Sequence, residues 1–334
     1  MSRALLPLVP LYAAAVGAKD LAYARRWAKP QWLRGPVISV GNVSVGGSGK
    51  TPLTIRLAEL LREREIAVDV LSRGYGRDGR RVEGVDAGGS AEEFGDEPLL
   101  IARSAGVPVY VGASRYAAGV LAESESPVTR VHLLDDGFQH RRLARDVDIV
   151  VLHRSDFGER LLPAGRLREP LPSLSRAQIL VLREEDRDLE PELRRRGLCQ
   201  PVWFVERRLE VPTVRRVVAF CAIARPEEFF AALRQHGVEV AAQRSWRDHH
   251  RFRTAEIDEL MAMQRERAAE GFLTTEKDLV RLSTEQREKL ARVAPVLAAR
   301  LLVRVGGEAA AVAQLLAMLP GFPGLATGTA AASR

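Results

Sequence analysis

Cysteine and lysine are scarce in this chain. Its 334 residues include two cysteines, Cys199 and Cys221. Two isolated cysteines cannot build a disulfide framework, so a reducing compartment is the simpler expectation. Neither falls in a CxxC or a Cys/His cluster, which argues against a zinc site. Of the 50 basic residues, five are lysine (Lys19, Lys29, Lys50, Lys277 and Lys289) and the rest are arginine. A lysine inside a motif is therefore hard to attribute to composition. The apolar run near the N terminus, Ala4–Val16, falls short of the roughly 20 residues needed to cross a bilayer and is interrupted by Pro7 and Pro10. No internal repeat is present. Strong charge of one sign is also missing from most of the chain. The net charge is +7, but residues 1–36 alone hold six basic groups and one acid. The pI near 9.8 thus reflects the N-terminal segment, and without an aromatic-basic sheet motif no nucleic-acid partner is expected.

What is present is ordinary for a soluble globular chain: 46% hydrophobic and 28% charged residues, long enough for two domains. The basic N-terminal segment can form a helix from Pro10 onward. Tyr12, Val16, Tyr23 and Trp27 then fall near one face, flanked by Lys19, Arg25, Arg26 and Lys29. Two readings are open: a helix lying in an anionic membrane interface, or one packed on the domain by its apolar side. A cleavable signal peptide fits less well, because the basic cluster follows the apolar run and a buried strand begins at Val37.

Short apolar runs at 36–42, 67–72, 107–112, 131–136, 148–153 and 178–182 read as strands. Helical patterns at 51–65, 97–106 and 114–124 fall between them. This alternation predicts βαβ units and a mostly parallel sheet flanked by helices. Residues 154–177 form a long Pro/Gly-rich connection, and 183–197 a charged stretch with the look of a solvated helix face. Residues 202–216 read as a β linker. A second, smaller α/β domain follows, with a strand at 217–224 and helices at 226–237, 254–270 and 308–319. The expected divisions are 1–35 (interface helix), 36–205 (phosphate-loop domain), 206–322 (second domain) and 323–334 (disordered tail).

The run Ser44, Val45, Gly46, Gly47, Ser48, Gly49, Lys50, Thr51 separates the first strand from its helix. Backbone N–H groups and the positive helix end there would face phosphate. Lys50 would reach the β/γ-phosphates and Thr51 would bind Mg²⁺. The usual pattern wants Gly at position 44, where this chain has Ser, so the loop matches a GGxGKT variant of a P-loop NTPase-like fold. Phosphoryl transfer also needs acids. Asp135 and Asp136 end an apolar strand, where parallel sheets place ligands, although Asp-Asp-Gly is also good turn chemistry. Asp96 and Glu97 precede a helix, where an N-cap is the simpler explanation. Arg73 and Arg77, in SRGYGR, could meet phosphate. The adjacent His249 and His250 lack the i, i+4 spacing of a metal pair, but one of them could orient an acid.

The motifs GNVSVGGSGKTP, LSRGYGR, GDEP, LLDDGFQHRRL, DIVVLHRSDFGERLLPAGRLREPL, IARPEEFF, RDHHRF and LTTEKDLVRL occur in this order. Together they resemble the tetraacyldisaccharide 4'-kinase family over roughly residues 1–320. The resemblance implies transfer of the ATP γ-phosphate to the 4'-hydroxyl of a tetraacyldisaccharide 1-phosphate lipid. It implies a peripheral enzyme of lipid A biosynthesis at the cytoplasmic face of a Gram-negative inner membrane, with a P-loop domain, a β linker, a second domain and an active site in the cleft. Carried over by residue, it implies Asp96 as the group that deprotonates the sugar hydroxyl, oriented by His249, with His250 still open. It implies Thr51 and Glu97 as Mg²⁺ ligands, with Asp135 and Asp136 tuning the metal and Lys50. Gln139, His140 and Arg168 are implied substrate or phosphate contacts. The rivals are a P-loop ATPase or ligase with a soluble partner, and a P-loop GTPase. The GTPase reading lacks an N-K-x-D box, since TEKD places Lys and Asp adjacent.

Overall fold

The protein is described here by a computed structural model covering residues 3–321. The expected disordered tail at 323–334 lies outside the described residues. Contacts divide the chain into two compact units: residues up to Leu71, 119–206 and 304 onward in the first, and 72–118 with 207–303 in the second. The segment carrying Asp96 therefore groups with the C-terminal half of the sequence.

The first unit is built on a parallel sheet. Its spatial order is Val202–Glu210, Ile179–Arg183, Val147–Val151, Val37–Asn42, Val131–Asp135, Val68–Ser72. The central strands are buried at every position, as expected when both faces of a parallel sheet are covered. That is why they read as continuous apolar runs. The stretch expected to be only a linker starts as the strand Val202–Glu210, which pairs in parallel with Ile179–Arg183.

Val37–Asn42 lies between its two neighbours so that Val40 faces Asp135 and Asn42 faces Val151. Three strand ends thus meet at the Gly-rich loop. The loop feeds the helix Lys50–Arg62, which buries Leu53, Thr54, Leu57, Ala58, Leu60 and Leu61. Gly49 caps this helix in the left-handed region, φ +93°, where a side chain would be strained. Gly41 permits the closest approach in the sheet: a Cβ there would sit 2.8 Å from the Phe138 backbone nitrogen. The turn after Asp136 can therefore lie directly against the central strand, with Gly137 N–H donating to the Val40 carbonyl at 3.1 Å.

The connection at 154–177 is ordered by two 3₁₀ turns, Arg154–Gly158 and Leu171–Arg176. Leu167 bridges back to Ser44 and Leu161, and Leu167, Leu171 and Leu174 join the core beside Val150, Leu180 and Leu182. Apolar anchoring, invisible in a Pro/Gly-rich sequence, fixes this segment.

In the first unit the N-terminal segment forms a 3₁₀ turn, Arg3–Leu8, and the helix Val9–Ala24 with Pro10 in its first turn. None of the helix is buried. Its aromatic side faces the protein: the Tyr12 hydroxyl donates to the Arg168 carbonyl at 2.9 Å, and the Arg141 guanidinium lies 4.4 Å from the Tyr23 ring centre. Lys19 donates to the Gln139 carbonyl at 2.8 Å, and Asp20 pairs with Arg141 and Arg176. The exposed side is aliphatic, with Leu8, Leu11 and Leu21, and Leu11 is 71% exposed. The helix and the turn before it give a stretch, Leu5–Ala24, of 20 residues, long and apolar enough to cross a membrane by length and composition. The run ending at Val16 understated that length because the helix continues through Lys19 and Asp20.

The second unit has its own parallel sheet, ordered Glu239–Ser245, Arg216–Cys221, Gly271–Thr275, Val296–Val305. Strand alternation sends Val218 and Phe220 to the helix Thr254–Arg267, while Val217, Ala219 and Cys221 meet the helix Pro226–Gln235. A short antiparallel pair, Glu83–Gly84 with Val109–Val111, lies in the other segment of this unit and is not part of that sheet.

Candidate active site

In the first unit the loop 44–51 is shaped by neighbours on both sides. Asn42 Nδ2 donates to the Ser44 carbonyl at 2.7 Å, and the Val45 amide donates to the Arg166 carbonyl at 2.8 Å. The Arg166 guanidinium returns two bonds to the Val45 carbonyl. Gly46 sits at φ +110°, another backbone state suited to glycine. Lys50 is the first residue of its helix and its Nζ lies 3.4 Å from Asp136. Arg168 Nη1 donates to both Asp136 oxygens at 2.9 and 3.1 Å and to Gln139 Oε1 at 3.3 Å. Burial pushes the Asp136 carboxyl up, but Lys50 and Arg168 outweigh it and hold it at about 2. Asp136 also adopts φ +51°, a cost that marks a constrained site.

Asp135 is buried and accepts from Thr54 Oγ1 at 3.0 Å. Thr51 stands in the first turn beside Lys50. Ser48 Oγ is buried without a hydrogen-bond partner among the described residues, a donor that a phosphate oxygen would satisfy. Gln139 Nε2 donates to the Asn42 carbonyl at 2.9 Å. The His140 backbone is tied to Gly137 and Arg145. The structure thus gathers Lys50, Asp136, Gln139 and Arg168 around one loop.

The second unit holds a separate cluster. Asp96 opens the helix Asp96–Ala105, and Gly95, at φ +92°, is its cap. Asp96 is therefore not the N-cap that its sequence position suggested. Its Oδ1 accepts the Glu97 amide at 2.9 Å. Its Oδ2 meets His249 Nδ1 at 2.9 Å and Arg281 Nε at 2.8 Å, with Arg281 Nη2 also bonded. Lys277 Nζ lies 3.1 Å from Glu97, 3.6 Å from Asp248 and 3.4 Å from His249 Nε2. Burial raises the Asp96 carboxyl, but the His249 bond and the charges of Lys277 and Arg281 outweigh it and carry it well below the usual carboxylate range. Burial lowers Lys277, but Glu97, Asp96 and Asp248 more than compensate, so it stays firmly charged.

Of the two histidines, the fold brings His249 to Asp96. His250 pairs instead with Glu256 at 2.8 Å and stacks on Trp246. Arg77 is engaged within its own loop, by Glu83 and the Arg81 carbonyl. Arg73 is exposed. Lys277 and Arg281, the two cations that hold Asp96, were not singled out in the sequence. Lysine scarcity, which drew attention to Lys50, applies equally to Lys277.

No group of three or more His, Cys, Asp or Glu able to hold a metal occurs among the described residues. Mg²⁺ does not need one. It is usually held by one or two carboxylates together with substrate phosphates, and Asp135 and Thr51 carry oxygen donors of the type such a site uses.

Residues 1–320 match the profile of the family described as LpxK, tetraacyldisaccharide-1-P 4'-kinase. A tetraacyldisaccharide 4'-kinase from Koribacter versatilis is 45% identical over 94% of this chain and 98% of its own. One from Aquifex aeolicus is 38% identical over 83% and 89%. A crystal structure of LpxK from Aquifex aeolicus, described as an apo form in complex with ATP, superposes with a TM-score of 0.76 at 33% identity. It covers 94% of this chain and 98% of that one.

Proposed function

The chain belongs to the tetraacyldisaccharide-1-P 4'-kinase family, and from that premise we propose how its residues transfer the ATP γ-phosphate to the 4'-hydroxyl of a tetraacylated glucosamine disaccharide 1-phosphate. The product is the bis-phosphorylated lipid A precursor. The observation that carries the reading is the Gly-rich loop at the C-terminal end of the central strand, with Lys50 in the first helical turn beside Asp136. Backbone amides of residues 46–51 cradle the triphosphate, and Lys50 moves from Asp136 to the transferred group. Thr51 and Asp135 would hold Mg²⁺, which would supply charge neutralisation to the phosphates. Arg168 and Gln139 order Asp136, and His140 beside Gln139 contributes to substrate binding.

In the second unit Asp96 and His249 act as a pair on the sugar hydroxyl. A carboxylate that accepts this many donors has low proton affinity, so Asp96 serves best by holding His249 Nδ1–H. Nε2 then takes the proton once the Lys277 ammonium, 3.4 Å away, turns wholly to Glu97 and Asp248. This reverses the division of labour that the resemblance implied.

The N-terminal helix lies along the membrane interface, with the aliphatic side in lipid. Lys19 and Asp20, bonded to the protein, would be costly in the hydrocarbon core of a spanning helix. The cytoplasmic face of the inner membrane is the matching location, since ATP is the donor.

The test is phosphate transfer from labelled ATP, with Mg²⁺, to tetraacyldisaccharide 1-phosphate in detergent micelles. A bis-phosphorylated lipid is expected. No product while ATP still binds would overturn the acceptor assignment.

A further inference from the structure

Residues 72–78, in the second unit, form a loop held by several contacts. Arg77 anchors it from within through Glu83 and the Arg81 carbonyl. Arg251 donates to the Gly76 carbonyl at 2.6 Å and to Asp78 at 2.8 Å. The Asp78 amide donates to the Glu92 carbonyl at 2.9 Å. Gly74 (φ +67°) packs so closely that an added Cβ would lie 2.8 Å from the Phe94 carbonyl oxygen. Gly76 is also left-handed, φ +77°. Between these two glycines stands Tyr75, 62% exposed.

A tyrosine gains most by burying its ring, and a loop this well fixed could have turned it inward. It is presented outward instead, next to His249, with ring centres 5.3 Å apart and planes tilted by 64°. A tilted contact of that kind covers little of the ring. The same loop therefore sets an open aromatic surface beside the proton-accepting pair.

We propose that Tyr75 is the stacking platform for the sugar ring whose hydroxyl is phosphorylated. The proposal rests on the 4'-kinase reading above. A gluco-configured pyranose carries its substituents equatorially, so its two faces are lined by C–H bonds and match an aromatic ring. The reacting hydroxyl must lie at His249, so the sugar that bears it is within reach of Tyr75. The adenine of ATP is separated from the transferred phosphorus by the ribose and the phosphate chain, which makes it the poorer occupant.

The experiment is initial-rate kinetics of the full chain and of Tyr75→Phe and Tyr75→Ala, with tetraacyldisaccharide 1-phosphate in micelles and ATP varied in turn. Tyr75→Ala should raise the lipid KM by roughly tenfold, the scale of one stacking contact, and leave the ATP KM unchanged. Tyr75→Phe should keep both near wild type. Loss confined to kcat in Tyr75→Ala would mean that the ring only supports His249, and would overturn the proposal. A rise in the ATP KM instead would assign the ring to adenine, with the same consequence. Wild-type transfer with an unchanged lipid KM in Tyr75→Ala would remove the platform alone. Absence of wild-type transfer would remove the kinase reading and the platform with it.

Discussion

His249 and His250 are neighbours in sequence with opposite employment. His249 has a left-handed backbone, φ +61°, which turns its ring to Asp96. His250 stays with Trp246 and Glu256, and Glu256 in turn accepts the Arg253 amide at the start of the helix Thr254–Arg267. One histidine therefore meets the buried Asp96 carboxylate and the other fastens the loop that presents it. His249→Ala should lower kcat by about 10²–10⁴-fold, the usual contribution of a general base. Added imidazole should restore part of that loss, because the missing group is a proton acceptor and not a packing element. His250→Ala should cost less turnover and show no imidazole response. If imidazole restores neither variant, Nε2 of His249 is not the acceptor. The sequence could not choose between the two, since both follow Asp248 and only the backbone sign at His249 separates them. Lys277 and Arg281 were equally hidden: they lie about 180 residues from Asp96, and only the fold makes them its counter-ions.

At the level of elements, the central parallel strands of the first unit were legible because burial on both faces leaves unbroken apolar runs. Glu239–Ser245 and Val296–Val305 were not. Each mixes polar or charged residues into a half-exposed strand, and their pairing comes from neighbours far along the chain. Buried charge inside a strand also escaped notice. His132, near the start of Val131–Asp135, bonds Asp69 on the adjacent strand at 2.7 Å and lies 3.4 Å from Glu123. Glu123 in turn accepts the Gly35 amide at 2.9 Å, tying the lead-in of the central strand to the same network. Burial lowers the His132 imidazole, but Asp69 and Glu123 outweigh it, so its pKa is raised in the folded protein. A histidine with a raised folded value contributes stability that is full below the unfolded value of about 6.5 and lost as pH rises through the folded value. Thermal melting should therefore decline from pH 6 upward in the wild type, and His132→Asn should flatten that decline. An unchanged slope in the variant would mean that this imidazole is not charged in the folded state.

For the molecule as a whole, the proposed membrane contact rests on the N-terminal helix. Its composition allowed two readings, membrane interface or packed helix; one side is packed on the protein, and the other is the side that we propose faces lipid. Tyr12, Lys19, Asp20 and Tyr23 recur at helical spacing and fix the inner side, Tyr12 to Arg168 and the other three to Gln139 and Arg141. Leu8, Leu11 and Leu21 are left outside, with Trp27 and Trp32 exposed just beyond the helix. Aliphatic residues flanked by tryptophan and by Arg25, Arg26 and Lys29 suit the boundary between lipid headgroups and acyl chains. An acyl-chain substrate would then approach from the side on which the helix rests. Replacing Leu11 and Leu21 together by Glu should reduce partition into anionic vesicles by at least about tenfold, since each leucine contributes roughly 1.5–3 kcal/mol when fully buried. Both side chains are exposed, so the melting temperature in solution should stay within a few degrees of wild type. The lipid KM should rise with vesicle-presented substrate and change little with micelles. Sedimentation of the double variant with vesicles at the wild-type level would show that the enzyme holds the membrane by another surface.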